Sequence, residues 1–363
     1  MNTIVGLNYI TYDSWWDTDK TILPDLCEGY QVNVFVLNPQ KHQKKFLEKQ
    51  QYGSRQFTEM EQPYRDRNPL SLFIAFIFFL KVAKAFRSDF ANVIVVGKNP
   101  FFLTLLLLFA SKKRTVVCLH NFVEHSGKRH NLNDWMKRRF YHHFRHFLFY
   151  SESQRKLFEK NYPSKNAYCL NIPLKDFGTP RKSIVEDGKT VFLFFGLISD
   201  YKRLDLFIKA ANQIATENTL FIIAGNCQDW KKYKGMIQKP EHFRCDIRFI
   251  ANEEVADYFS AANFLVLPYD DATQSGPMMI ALNYGIPVIA SDIEAFTGLV
   301  SHGNNGFLFN KGNLQSLVEV MGHAAKLNQE QLKQLRKNQF DAMERYKQDC
   351  NVLKTFSAVT NNL

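Results

Sequence analysis

The sequence has no apolar run long enough to cross a bilayer. Its two most apolar stretches, residues 70–80 (LSLFIAFIFFL) and 101–110 (FFLTLLLLFA), fall well short of the ~20 residues a spanning helix needs. They read as buried helices of an α/β domain, with shallow insertion into a membrane surface as the lesser alternative. Paired cysteines are also missing. Cys27, Cys118, Cys169, Cys227, Cys245 and Cys350 include no CxxC spacing and read as reduced, mostly buried thiols of a cytoplasmic protein. The opening MNTIVGLNYITYDSWWDTD has no basic region leading into a long apolar core, so it does not read as a secretion signal. There is no low-complexity tract and no internal repeat. Basic residues are plentiful, but no recognised nucleic-acid module accompanies them, which argues against nucleic acid as the partner.

What is present is length and apolar content. The 363 residues are 45% hydrophobic, enough for two domains with separate cores. Apolar strand-like runs alternate with helical stretches, most regularly after residue 190, and this pattern predicts parallel, doubly wound sheets. In the first half the strands fall at residues 3–9, 32–37, 93–97 and 115–119. In the second they fall at 191–195, 220–224, 246–250, 264–267 and 287–290. Residues 40–68 are polar and read as a loop with short helices. Residues 134–149 read as one helix, with Met136, Phe140, Phe144 and Phe147 facing inward. Residues 175–189 form the expected linker. The domains are therefore expected at 1–175 and 176–346.

The most informative stretch is residues 264–291, FLVLPYDDATQSGPMMIALNYGIPVIAS. A buried strand ends at Pro268. A polar loop, residues 270–276, follows at the strand's carboxyl end. Pro277 suits the first turn of a helix, and Gly285 suits a left-handed cap at its end. In open parallel sheets ligands sit at the strands' carboxyl ends. A loop feeding a helix N-terminus aims free N–H groups and a positive dipole end there. This loop is therefore the expected place for a bound phosphate. The positive excess, +11 overall, is concentrated between residues 112 and 156. Arg138, His142 and Arg145 make a stripe there, which suits an anionic partner such as phospholipid headgroups or a pyrophosphate-linked acceptor.

Ser275-Gly276 and the run from Ala281 to Val288 (ALNYGIPV) resemble the nucleotide-sugar loop of retaining glycosyltransferases of GT-B fold, family 4. Three further stretches carry the same resemblance. Gly196, Lys202 and Asp205 match the family's strand, glycine and Lys-Gly-x-Asp pattern. His120-Asn121, with His125 beyond, stands at the end of strand 115–119. Asn305-Gly306-Phe307-Leu308 matches a late strand. The likeness covers almost all of residues 190–325 and the N-terminal half loosely. Departures are specific. Ile280 occupies the position of the loop's second glutamate, Asp270 or Asp271 only approximates the first, Leu197 stands where an arginine is usual, and Arg203 replaces a glycine. The first loop has Trp15, Trp16, Asp17 and Asp19 in place of glycines.

The resemblance implies an α/β protein of two Rossmann-like doubly wound parallel-sheet domains facing a cleft, with a C-terminal helix within 347–363 crossing back onto the first domain. It implies a transferase that moves a sugar from a nucleoside-diphosphate donor to a glycan or lipid-linked acceptor in surface polysaccharide assembly. No metal or other cofactor is expected, because a lysine and helix N-termini neutralise the leaving diphosphate. His120 and Asp271 are the expected catalytic residues, with Asp271 preferred to Asp270 as the one that turns inward. Gly196, Lys202, Ser275, Gly276 and Met278 are expected on the donor, and Trp15, Trp16, Asp17 and His125 on the sugar or acceptor. A tryptophan face suits a sugar ring, although the pair equally suits a cap on the core. Ile280→Glu is expected to leave the enzyme active, unless Ile280 packs in a dry core. The expected location is the cytoplasm, peripheral on the inner face of an anionic membrane. A nucleotide-sugar epimerase, or a non-catalytic relative that binds a partner, are the alternatives; the loss of charge at Ile280 and Leu197 favours the latter.

Overall fold

The computed structural model describes residues 4, 6–12, 15–38, 57–61, 69–96, 100–120, 122, 131–184 and 188–363. The chain divides into two compact units. The first is Met1–Pro173 with Cys350–Leu363, and the second is Leu174–Asp349.

In the first unit, β1 (Gly6–Tyr12), β2 (Gln31–Asn38), β3 (Phe57–Glu61), β4 (Ala91–Val95), β5 (Thr115–Leu119), β6 (His146–Phe149) and β7 (Asn166–Cys169) form one parallel sheet. Its order is β3-β2-β1-β4-β5-β6-β7. Helices α1 (Trp16–Gly29), α2 (Pro69–Ala85), α3 (Pro100–Phe109), α4 (Asn131–His143) and α5 (Glu152–Asn161) connect the strands. In the second unit, β8 (Thr190–Phe195), β9 (Thr219–Ala224), β10 (Phe243–Asp246), β11 (Phe264–Leu267), β12 (Val288–Ser291) and β13 (Gly306–Phe309) are again all parallel, in the order β10-β9-β8-β11-β12-β13. The helices here are α6 (Leu204–Ile214), α7 (Trp230–Lys234), α8 (Asn252–Ala261), α9 (Gly276–Asn283), α10 (Glu294–Thr297), α11 (Leu314–Ala324) and α12 (Gln329–Asp349). The last helix, α13 (Val352–Thr360), returns to the first unit.

The central strands read as continuous apolar runs because both faces of each sheet are covered. Every residue of β5 and β11 is buried. Each unit has its own core, one centred on Phe78, Phe102, Phe140, Phe147 and Phe158, the other on Phe192, Phe194, Phe207, Phe221 and Phe264. In both sheets the strand order reverses once, between β1 and β4 and between β8 and β11. Loops leaving such neighbours diverge to opposite faces and open a crevice at the carboxyl ends. The loops after β8 and β11 are those that carry Lys202 and Ser275-Gly276.

Four expectations from sequence need correction. Residues 57–61, placed in a polar loop, form the edge strand β3. The helix expected over residues 134–149 ends at His143, and residues 146–149 are β6. The period was misread because β6 is buried on both faces, so its phenylalanines extend a helical spacing they do not belong to. The strand placed at residues 246–250 is β10, which ends at Asp246. Finally, α2 is not a buried helix. Phe78, Phe79 and Val82 enter the core, but Leu70, Phe73, Ile77 and Leu80 are exposed. All-round apolar sequence has no inward direction of its own, so only the fold shows which residues remain outside.

Candidate functional site

The second unit brings its expected site residues together at the switch point. Gly196 follows β8 with φ +101, in the left-handed region that glycine adopts freely. Its neighbour across the sheet, Gly225, is equally constrained: a Cβ there would stand 2.0 Å from the Gly196 carbonyl oxygen. The two glycines let the turns after β8 and β9 touch. A Cβ placed on Gly196 would lie 3.5 Å from Pro277 Cγ and 3.6 Å from Lys202 Nζ. The ammonium of Lys202 thus lies beside bare backbone and the first turn of α9.

Lys202 ends a 3-10 turn, Asp200–Lys202, and is only 8% exposed. Among the described residues no carboxylate or hydroxyl pairs with its ammonium; the Tyr269 ring, 5.5 Å from Nζ to its centroid, is the neighbour it faces. Burial alone lowers its pKa from 10.5 to about 8. The turn is held from below by Arg203. This residue has φ 52 and ψ 49, left-handed for a side-chain-bearing residue, at the position where the sequence pattern has glycine. Its guanidinium donates to Asp205 at 3.0 and 3.1 Å and to Asp270 at 2.9 and 3.2 Å. The Asp270 N–H donates to the Tyr201 carbonyl at 2.8 Å. Arg203 therefore ties the lysine turn to the loop after β11.

That bond commits Asp270 to Arg203, whereas Asp271, the residue expected to face the sugar, is exposed at the start of the loop. Ser275 caps α9, its hydroxyl accepting from the Met278 N–H at 3.3 Å, and the Met278 side chain is buried. Ser275 and Met278, expected on the donor, thus use these polar groups on each other and shape the turn. The groups left for an anion are the Lys202 ammonium, the Gly276 N–H, and the Gln274 side-chain amide, whose nitrogen is buried without a partner among the described residues. Sequence reasoning missed Gln274, Arg203 as a brace, and Tyr269. Ile280 is 5% exposed, within the buried run Met278–Leu282, and Leu197 projects into solvent. Neither is placed to act as a polar ligand.

In the first unit, His120 follows β5 and lies between two aromatic rings. Trp15 stacks on it at 3.6 Å and 6°, and Tyr150, one residue past β6, covers it at 4.5 Å and 26°. The segments after β1, β5 and β6 thus contribute one stacked set. Trp15 has given one face to His120, and Trp16 is buried in the core, so the expected tryptophan pair does not stand open to a ligand. The role assigned to Trp16 is withdrawn on that ground. Below, the Asp19 carboxylate is fully buried and accepts from Tyr9 OH at 2.8 Å and from the Thr11 hydroxyl. Burial, and after it the Asp19 charge, raises the pKa values of Tyr9, Tyr150 and Cys118. Asp19 is a brace for β1. His125 and the side chain of Asp17 lie outside the described residues.

Residues 189–326, which lie within the second unit, match the family model described as Glycosyl transferases group 1. An uncharacterized glycosyltransferase of Haemophilus influenzae is 21% identical over 175 residues, 47% of this chain and 48% of that one; the match spans about half the length of this curated relative. Among solved structures, Anabaena HepE in complex with UDP and glucose has a TM-score of 0.71 at 13% identity, covering 98% of both chains. Sucrose-phosphate synthase from Thermosynechococcus elongatus has a TM-score of 0.70 at 12% identity, covering 98% and 96%. A glycosyltransferase from Rickettsia africae reaches 0.73 at 8% identity, covering 100% and 99%. The fold is that of the GT-B glycosyltransferases.

Proposed function

We propose that this protein is a retaining glycosyltransferase that moves a sugar from a nucleoside-diphosphate donor to a glycan or lipid-linked acceptor, without a metal ion, in surface polysaccharide assembly. The observation that carries the reading is the buried Lys202 ammonium. It sits at the first turn of α9 with no counter-charge among the described residues. A cation and a positive helix end held together in a dry site are costly until an anion arrives. A diphosphate supplies that anion, and as the glycosidic bond breaks its charge grows, so the fixed ammonium acts most at the transition state. HepE, a structural neighbour, was crystallised with UDP-glucose, which makes UDP the first donor base to try. His120, oriented by its two stacked rings, is assigned to the transferred sugar, and Asp271 to the sugar from the loop after β11.

The test is a thermal-shift panel of UDP-, GDP- and other nucleotide sugars, followed by turnover with a crude glycan acceptor. One class of nucleotide sugar is expected to raise the melting temperature of the wild type. Lys202→Ala should keep the fold, lose that shift, and lose turnover by about 3 kcal/mol of transition-state stabilisation. Wild-type turnover in Lys202→Ala at saturating donor removes the diphosphate assignment. Binding without any turnover favours the non-catalytic relative, the reading that the apolar, buried Ile280 supports.

A further inference from the structure

The first unit presents an apolar face that its fold leaves uncovered. On α2, Leu70, Phe73, Ile77 and Leu80 recur at steps of three and four and are all exposed, Phe73 at 60%. On α3, Leu108 and Phe109 are exposed at 69% and 59%. The two helices pack together, with Phe79 of α2 meeting Phe109 of α3 at 5.1 Å. The exposed residues of both therefore belong to one patch. Scattered exposed apolar residues need no explanation, but a contiguous run of large ones marks an interaction surface.

Its surroundings identify what it contacts. Both helices cross over between parallel strands, α2 from β3 to β4 and α3 from β4 to β5. They therefore run the same way, and their C-termini lie at the amino edge of the sheet. That end is basic: Lys81 and Lys84 on α2, and Lys112, Lys113 and Arg114 after α3, are all exposed. Neither helix contains an Asp or Glu. Asp89, beyond α2, is paired with Arg114 at 3.0 Å. In the next helix, α4, Trp135 is half exposed, with the Arg139 guanidinium 4.4 Å over its ring. Large apolar side chains, an interfacial tryptophan and a one-signed basic rim form the surface that an anionic bilayer attracts. No described helix is long and apolar enough to span one.

We infer that the α2–α3 face docks this protein on an anionic phospholipid bilayer, inserting Phe73, Ile77, Leu80, Leu108 and Phe109 among the headgroups while the lysines hold lipid phosphates. This differs from attraction to a charged stripe alone. The contact has an apolar part that salt does not screen, and its centre is α2 and α3, not the Arg138–Arg145 stripe of α4. It is independent of the donor chemistry proposed above, since no donor residue lies on this face.

The test is sedimentation of the full chain with vesicles of pure phosphatidylcholine and with vesicles containing phosphatidylglycerol. Wild type should sediment with the anionic vesicles and keep part of that binding at about 0.5 M salt, where the Debye length is only a few ångströms. Phe73→Asn/Ile77→Asn/Leu80→Asn should weaken binding by about tenfold or more. Lys81→Glu/Lys84→Glu should abolish the preference for phosphatidylglycerol. Both variants change exposed side chains, so melting temperature and the nucleotide-induced thermal shift should stay at wild-type values, separating a lost surface from a lost fold. Failure of the wild type to sediment with anionic vesicles overturns the inference. So does a triple variant that binds as well as wild type. A wild-type dimer in light scattering that the triple variant splits into monomers, without vesicle binding, would assign the face to a second copy instead.

Discussion

At the scale of the residue, the site rests on a lysine that weakens its own fold. Lys202 titrates at about 8 in the folded protein and at its ordinary 10.5 when unfolded, because burial opposes its charge. Between those values the unfolded chain binds more protons, so stability rises with pH across that window, and the full penalty is present below it. A shift of that size corresponds to roughly 3 kcal/mol. Lys202→Met, of similar shape, should therefore raise the melting temperature at pH 7, and the gain should fade toward pH 10.5. A bound diphosphate needs the charged form, so the thermal shift given by UDP to the wild type should shrink from pH 7 to pH 9. A Lys202→Met protein less stable than wild type at pH 7 would mean that the ammonium has a partner. Arg203 separates two other effects. Its left-handed backbone costs a side-chain-bearing residue ~1 kcal/mol, while its partly exposed ion pairs to Asp205 and Asp270 contribute up to ~1 kcal/mol each. Arg203→Gly loses the pairs but also the strain and should be near neutral in urea unfolding. Arg203→Ala loses the pairs and keeps the strain, and should be the less stable variant by about 1 kcal/mol. Equal stabilities would show that the backbone is relaxed.

At the scale of the element, α9 decides how the missing glutamate is to be understood. Five successive residues, Met278 to Leu282, are buried, so the helix is enclosed on every side and Ile280 has no open face. The expectation that Ile280→Glu leaves the enzyme active gives way to its competing outcome. The buried carboxylate should destabilise the second unit by several kcal/mol. Melting temperature and UDP affinity measured together check this: a stable variant with tighter UDP binding would mean that the residue reaches the nucleotide after all. The helix also shows what was legible beforehand. Its boundaries followed from Pro277 and Gly285, and Gly285 does hold a left-handed φ of 62. β5 was equally plain, its five apolar-rich residues falling where they were expected, at 115–119. β6 was not, because four residues buried on both faces have no period to distinguish strand from helix. The exposed side of α2 was hidden for a related reason: its outward residues are as apolar as its inward ones. At the site, Lys202 and the loop after β11 were visible as pattern. The Arg203–Asp270 brace and the Trp15–His120–Tyr150 stack were not, because each joins residues from separate strand ends.

At the scale of the whole molecule, alternation of strand and helix implied two doubly wound sheets, but nothing in that pattern ties the end of the chain to its beginning; that expectation came from the family resemblance. After α12 the chain leaves the second unit, and residues 350–363 complete the first. The contact is specific. Val352, Phe356 and Val359 of α13 are buried, and α13 packs on α1 and β7. Leu353 lies so close to Gly29 that a Cβ there would stand 2.6 Å from its methyl. Tyr30 OH meets Thr360 Oγ1 at 3.1 Å, and Cys350 Sγ donates to the Asn171 carbonyl at 3.0 Å. Burying a side chain of this kind contributes about 1.5–3 kcal/mol, so three of them are a large part of what stabilises an ordinary domain. Removing residues 350–363 should therefore act on one unit only. Hydrogen exchange is expected to speed up across β1, α1 and β7, whereas β8 to β13, which keep every contact within Leu174–Asp349, should exchange at wild-type rates. The nucleotide-induced thermal shift should survive, because Lys202 and α9 belong to the unit left intact. Loss of protection in β8 to β13 as well would mean that the two units unfold as one cooperative block, and the C-terminal helix would then stabilise the whole chain.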